Sequence, residues 1–231
     1  MAVKMFDKLK KAFSGDKGAT VAAAQLAEVA AWAETRKLKC AASKDGKGFI
    51  IAGRLGEKLW KMECSPSTRE YISGQELRGR IETKVNDDVA VVIMNRVLKD
   101  SLTEQAYGLY TDTLQTEVRP GLLEEMSWLA TYPGVTWNTL PKEFWNRYTV
   151  LSSQRDNASA WVNEGLSRLL MSWPRPGVDA NVPWMLMLLR GKVHLRMQYL
   201  SDDLPTLAHA VRIMTSAGES AVEQFSTDIT L

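Results

Sequence analysis

The sequence predicts an α+β fold, an antiparallel sheet with helices packed on one face. Three observations carry this. Residues 38–94 have a strand-and-turn texture, clearest in 77–85, where Leu77, Gly79, Ile81, Thr83 and Val85 alternate with Arg78, Arg80, Glu82 and Lys84. Residues 19–37 and 120–173 instead carry apolar side chains at helical spacing. Finally, no strand–helix–strand alternation of the nucleotide-binding kind runs along the chain.

Taken in order, residues 3–13 form a short amphipathic helix with Met5, Phe6, Leu9 and Phe13 on one face and four lysines elsewhere. Ser14 to Gly18 reads as a hinge. An alanine-rich helix follows over 19–37, with Val21, Leu26, Val29 and Trp32 inward. Hairpins are expected near 49–64, around Gly56-Glu57, and near 77–94, around Asn86-Asp87-Asp88. Pro120 opens a helix that stops before Tyr132-Pro133-Gly134, and another begins near Pro141. Asp156 or Asn157 caps a helix reaching Trp173, closed by Pro174-Arg175-Pro176-Gly177. A third hairpin spans 183–200 around Gly191-Lys192, and Asp202-Asp203-Leu204-Pro205 starts the last helix.

Residues 1–14 are thus expected as a separable segment, and 19–225 as one compact unit. The order helix-then-hairpin recurs in 19–64 and 156–200, so two subdomains, 19–116 and 117–225, are an alternative division.

The chain has 29 basic and 27 acidic residues, for a net charge of +2. That balance argues against a nucleic-acid partner. No window offers the roughly 20 apolar residues of a membrane span, and residues 1–14 lack a leader's continuous apolar stretch. A cytoplasmic protein with Cys40 and Cys64 reduced is expected. The only histidines, His194 and His209, have no ligand-spaced cysteine pair near them, so no metal or cofactor is expected. No nucleophile elbow or phosphate-cradling glycine loop exists, and no catalytic residue is assigned.

Two candidate sites remain. Arg78 and Arg80 share one face of a strand, with Arg69 and Tyr71 shortly before them; paired guanidinium groups can hold a carboxylate or phosphate. The plainer alternative is a solvated face on which they pair with Glu63, Glu76 or Glu82. The second candidate is the face of Met5, Phe6, Leu9 and Phe13, which can dock on the protein's own body, on a protein partner, or peripherally on an anionic membrane. Five of the eight tryptophans, from Trp137 to Trp184, either fill the core or mark an interface. The favoured expectation is a non-catalytic protein that binds an unidentified protein partner; the alternative is a small anionic-ligand-binding protein or enzyme with a pocket around Arg78 and Arg80.

Over residues 48–116 the chain resembles a group of conserved proteobacterial proteins without an assigned activity. The resemblance lies in Ile51-Ala52-Gly53-Arg54-Leu55, in Arg69 to Arg78, in Met94-Asn95-Arg96 and in Thr111 to Thr116. It implies a cytosolic bacterial protein and lends no site residues.

Overall fold

The structure, a computed structural model, describes residues 23–111, 120–175, 181–200 and 202–226. The segment carrying Met5, Phe6, Leu9 and Phe13 lies outside them.

The architecture is α+β, as the alternation in 77–85 and the flanking helical spacing predict. Eight strands form one sheet in the order β1-β2-β3-β4-β8-β7-β5-β6. They are β1 (Lys39–Ala42), β2 (Phe49–Leu55), β3 (Lys58–Pro66), β4 (Gln75–Glu82), β5 (Val91–Asn95), β6 (Tyr148–Ser152), β7 (Trp184–Leu189) and β8 (Lys192–Tyr199). Every neighbouring pair is antiparallel. The described helices are α1 (23–35), α2 (Arg96–Thr111), α3 (Pro120–Thr131), α4 (Lys142–Arg147), α5 (Arg155–Trp161), α6 (Glu164–Leu170) and α7 (Leu204–Phe225).

The hairpins over 49–64 and 183–200 form. The hairpin expected over 77–94 does not. Both of its strands exist, but β4 pairs with β3 and β8 while β5 pairs with β6 and β7. The β7–β8 hairpin is seated between them. All five residues of β5 are buried, and a strand buried on both faces takes apolar strands such as β7 on its flank rather than the half-solvated β4.

One sheet face is the main core. Leu77, Ile81, Val193, Leu195, Trp60 and Met62 lie on it, fully or almost fully buried. Helix α7 crosses this face closely enough that a Cβ on Gly79 of β4 would come 2.3 Å from Met214 Sδ. The Trp161 indole donates to Ala217 O (2.9 Å), tying α5 to α7. Burial of each such side chain contributes about 1.5–3 kcal/mol.

The other face divides in two. Over β5, β6 and β7 it is apolar, and Val92, Met94, Met185 and Met187 meet Leu98 and Leu102 of α2. Trp128, Leu129 and Tyr132, on and just after α3, pack against this second cluster. Helices therefore cover both faces, not one as expected. Over β3, β4 and β8 the same face is polar: Lys61, Arg80 and His194 lie in one cross-strand row, Glu63, Arg78 and Arg196 in the next.

Three further expectations change. The helix over 156–173 is two helices, because Asn163 ends the first turn run and accepts a bond from Leu166 N (2.9 Å), capping α6. The residue before α5 is Gln154, not Asp156 or Asn157, and its side chain makes no cap bond. Residues 148–152, which carry no turn signal behind them, form the edge strand β6. Helix α7 starts within Asp202-Asp203-Leu204-Pro205 as the sequence predicts, and of the two acids it is Asp203 that caps it, through Thr206 N (3.2 Å).

Candidate functional site

The polar half of the second face ends against α3 in a cavity of about 390 Å³. Its basic side is built by strand alternation. Lys192, His194 and Arg196 occupy every second position of β8 and so project from one face, and Arg80 is the cross-strand partner of His194. Arg190 stands at the turn between β7 and β8.

That turn is a two-residue connection in which Arg190 (φ 50°) and Gly191 (φ 65°) both take left-handed conformations, the geometry that matches strand twist. Gly191 is required twice over, since a Cβ there would also sit 2.7 Å from Asp87 Oδ1 and 2.8 Å from Val85 O. Its carbonyl accepts from Thr83 N (3.2 Å), Lys84 N (3.0 Å) and Thr83 Oγ1 (2.7 Å). These bonds lash the segment after β4 to the turn and bring Asp87 to the cavity wall.

The opposite wall comes from α3 and β7. Glu124, Trp128 and Tyr132 recur at four-residue intervals and share a stripe of that helical turn series, with Met187 and Leu189 beneath. Beside Glu124, Glu125 is fully buried. Its Oε1 accepts from Arg69 Nε (2.8 Å), Tyr71 Oη (2.9 Å) and Arg196 Nη1 (3.0 Å). A second fully buried carboxylate, Glu76, lies 2.9 Å from Arg196 Nε. Arg196 is thus held on its inner side by two carboxylates while it lines the cavity. Glu125 Oε2 has no hydrogen-bond partner among the described residues.

Electrostatics follow from this packing. Burial, then the nearby charges of Arg80 and Lys192, pushes His194 down to about 4, so its ring is neutral at pH 7. Burial and the adjacent Glu125 push the Tyr71 hydroxyl upward, keeping it a donor. Three of the four basic side chains have a carboxylate partner, and each guanidinium keeps further N–H donors for a ligand. Arg80 Nε donates to Glu82 Oε1 (2.7 Å), Lys192 lies 3.8 Å from Glu82, and Arg190 has no hydrogen bond or ion pair among the described residues. Four basic side chains (Arg80, Arg190, Lys192, Arg196) and two carboxylates (Asp87, Glu124) line the cavity, while Glu82 pairs with Arg80 and Lys192, and Glu76 and Glu125 hold Arg196 from its inner side. Such a cavity attracts anions and offers several charge-assisted donors to one.

The four sequence candidates separate. Arg80 lines the cavity. Arg69 and Tyr71 meet at Glu125 and touch the cavity only through Arg196 and Glu124, the latter 3.6 Å from Arg69 Nη2. Arg78 turns away to Glu63 (3.1 Å) and Ser65 (2.7 Å). Lys192, Arg196 and Trp128 belong to no motif in the sequence, and His194 enters there only as a metal-ligand candidate, although the period-two spacing of Lys192, His194 and Arg196 marks them as one face. His209, on α7, is buried: its ring lies 4.9 Å from that of Trp173 and its Nε2 2.9 Å from Leu169 O. Trp137, Trp161 and Trp184 are buried in the core, with Trp145 and Trp173 packed against it.

Among the described residues, no group of three or more His, Cys, Asp or Glu is placed to hold a metal ion, and no helix is long and apolar enough to cross a membrane. No family model matches the chain, and neither a curated protein nor a solved structure is found to be similar to it.

Proposed function

We propose that this protein binds a small anionic ligand, phosphate- or carboxylate-bearing, in the cavity between β8 and α3. The observation that carries the reading is the convergence of Arg80, Arg190, Lys192 and Arg196 on one cavity of about 390 Å³, with Arg196 fixed in place by Glu76 and Glu125. Sites of this size suit small molecules. A guanidinium already locked by buried carboxylates loses little freedom when it takes a ligand. The protein-partner reading loses one of its two supports, because five tryptophans belong to or pack against the core; its other support lies outside the described residues. A cytosolic setting remains part of the proposal, on sequence grounds.

The test is calorimetric titration of the full chain with inorganic phosphate at low ionic strength. Saturable binding is expected, lost on Arg80→Gln with Lys192→Gln and weakened as salt rises. Unsaturable, salt-insensitive heats, identical in the double variant, would refute it.

A further inference from the structure

We infer that the ligand is a phosphorylated compound carrying a flat ring, of the nucleoside monophosphate kind. The inference rests on the anion-binding reading above and deepens it.

The cavity lining has three chemistries, and a ligand must satisfy all of them. Arg80, Arg190 and Lys192 on the sheet side call for a compact group of more than one negative charge, which fits phosphate better than a single carboxylate. Trp128 and Tyr132 on the helix side offer aromatic surface one turn apart, backed by Met187 and Leu189. A bare inorganic anion leaves that wall wet and gains nothing from it. Asp87 and Glu124 supply the third chemistry, since carboxylates accept hydrogen bonds only. An acyl chain would desolvate both carboxylates and give neither a donor. A ring bearing amino or hydroxyl groups stacks on the aromatic wall and donates to the carboxylates, while its phosphate reaches the basic side. Base–aromatic stacking is tolerant of ring identity, so the class is assigned and the base is not.

Calorimetry of the full chain with inorganic phosphate, ribose 5-phosphate, adenosine and AMP separates these contributions. AMP is expected to bind about tenfold or more tighter than ribose 5-phosphate. Trp128→Leu, which keeps apolar bulk, should bring AMP to the ribose 5-phosphate level; Trp128→Phe should restore part of the difference. If Trp128→Leu does not fold, the wild-type ligand series and Trp128→Phe decide. AMP binding no tighter than ribose 5-phosphate overturns the inference while leaving the anion site standing. Failure of inorganic phosphate and ribose 5-phosphate alike removes the anion site itself. A 5′-phosphorylated oligoadenylate distinguishes the source of the nucleotide: affinity equal to that of AMP assigns the cavity to a strand end, and weaker affinity to the free mononucleotide.

Discussion

Arg80 and His194 stand directly opposite each other across the β4–β8 ladder, on the side of the sheet that lines the cavity. Burial first, and then the neighbouring charges of Arg80 and Lys192, keep the imidazole neutral until about pH 4, well below the ordinary value of 6.5. The unfolded chain therefore binds a proton at His194 that the native state refuses between those two values. Stability from this group is present above pH 6.5 and is lost as pH falls towards 4. His194→Gln should accordingly match the wild type at pH 7.5 and exceed it at pH 4.5 by about 1 kcal/mol, a figure held down by partial solvent access. Urea unfolding at the two pH values measures this; a constant difference between them would refute the assignment.

The same ring couples ligand to protons. An anion seated beside His194 favours the imidazolium, so binding should take up a proton and affinity should rise as pH falls from 7 to 5. Sulfate keeps its charge across that range and is the suitable probe. The His194→Gln protein should show a flat profile.

Arg78 and Arg80 differ in role despite lying two residues apart. Both make solvent-accessible ion pairs, with side chains 36% and 51% exposed. Replacing both by Gln should cost about 1 kcal/mol or less in stability. Only Arg80→Gln should weaken phosphate binding, by about tenfold, because Arg78 points to Glu63 and Ser65. Equal losses in the two single variants would show that the cavity reaches further along β4.

Arg196→Leu should be costly. It strips the charge partner from two fully buried carboxylates at once, and breaking a buried pair costs about 3–5 kcal/mol. Glu125→Gln keeps the shape and an acceptor oxygen, and should cost less, about 1–3 kcal/mol. Denaturant midpoints on the three proteins order these effects.

The two thiols should report burial. Cys64 is buried and burial pushes its thiol up to about 12, so it should resist a thiol reagent until the chain unfolds. Cys40 is only partly buried and should react first. Mass spectrometry of the singly labelled protein locates the adduct.

The local parts of this fold were legible because local physics decides them. The alternation in β4, the turn at Gly191 and the Asp203 cap each follow from a few neighbouring residues. The long-range parts were not. Nothing in 77–94 says that a hairpin from 183–200 belongs between its strands, since hydrogen-bond partners leave no mark on periodicity. The site shares this difficulty. Glu125 follows Arg69 by more than fifty positions, and helical spacing puts it on the same side as Leu122 and Leu129 without saying what could accompany a carboxylate there. Its burial shows only once Arg69, Tyr71 and Arg196 are found around it. The cationic row of β8 was the readable signal, because spacing alone puts Lys192, His194 and Arg196 on one side.

The placement of β7 and β8 also sets a timetable for biogenesis. Until residues 184–199 have left the ribosome, β4 and β5 each show an open edge of unpaired amides and carbonyls. Such edges invite pairing with other chains. The tight turn at Arg190-Gly191 lets the late hairpin close on itself quickly, but its insertion joins strands distant in sequence, which is slow. A nascent chain stalled before residue 184 is therefore the aggregation-prone form of this protein, and the hairpin that carries the cavity's cations is also the wedge that completes the sheet.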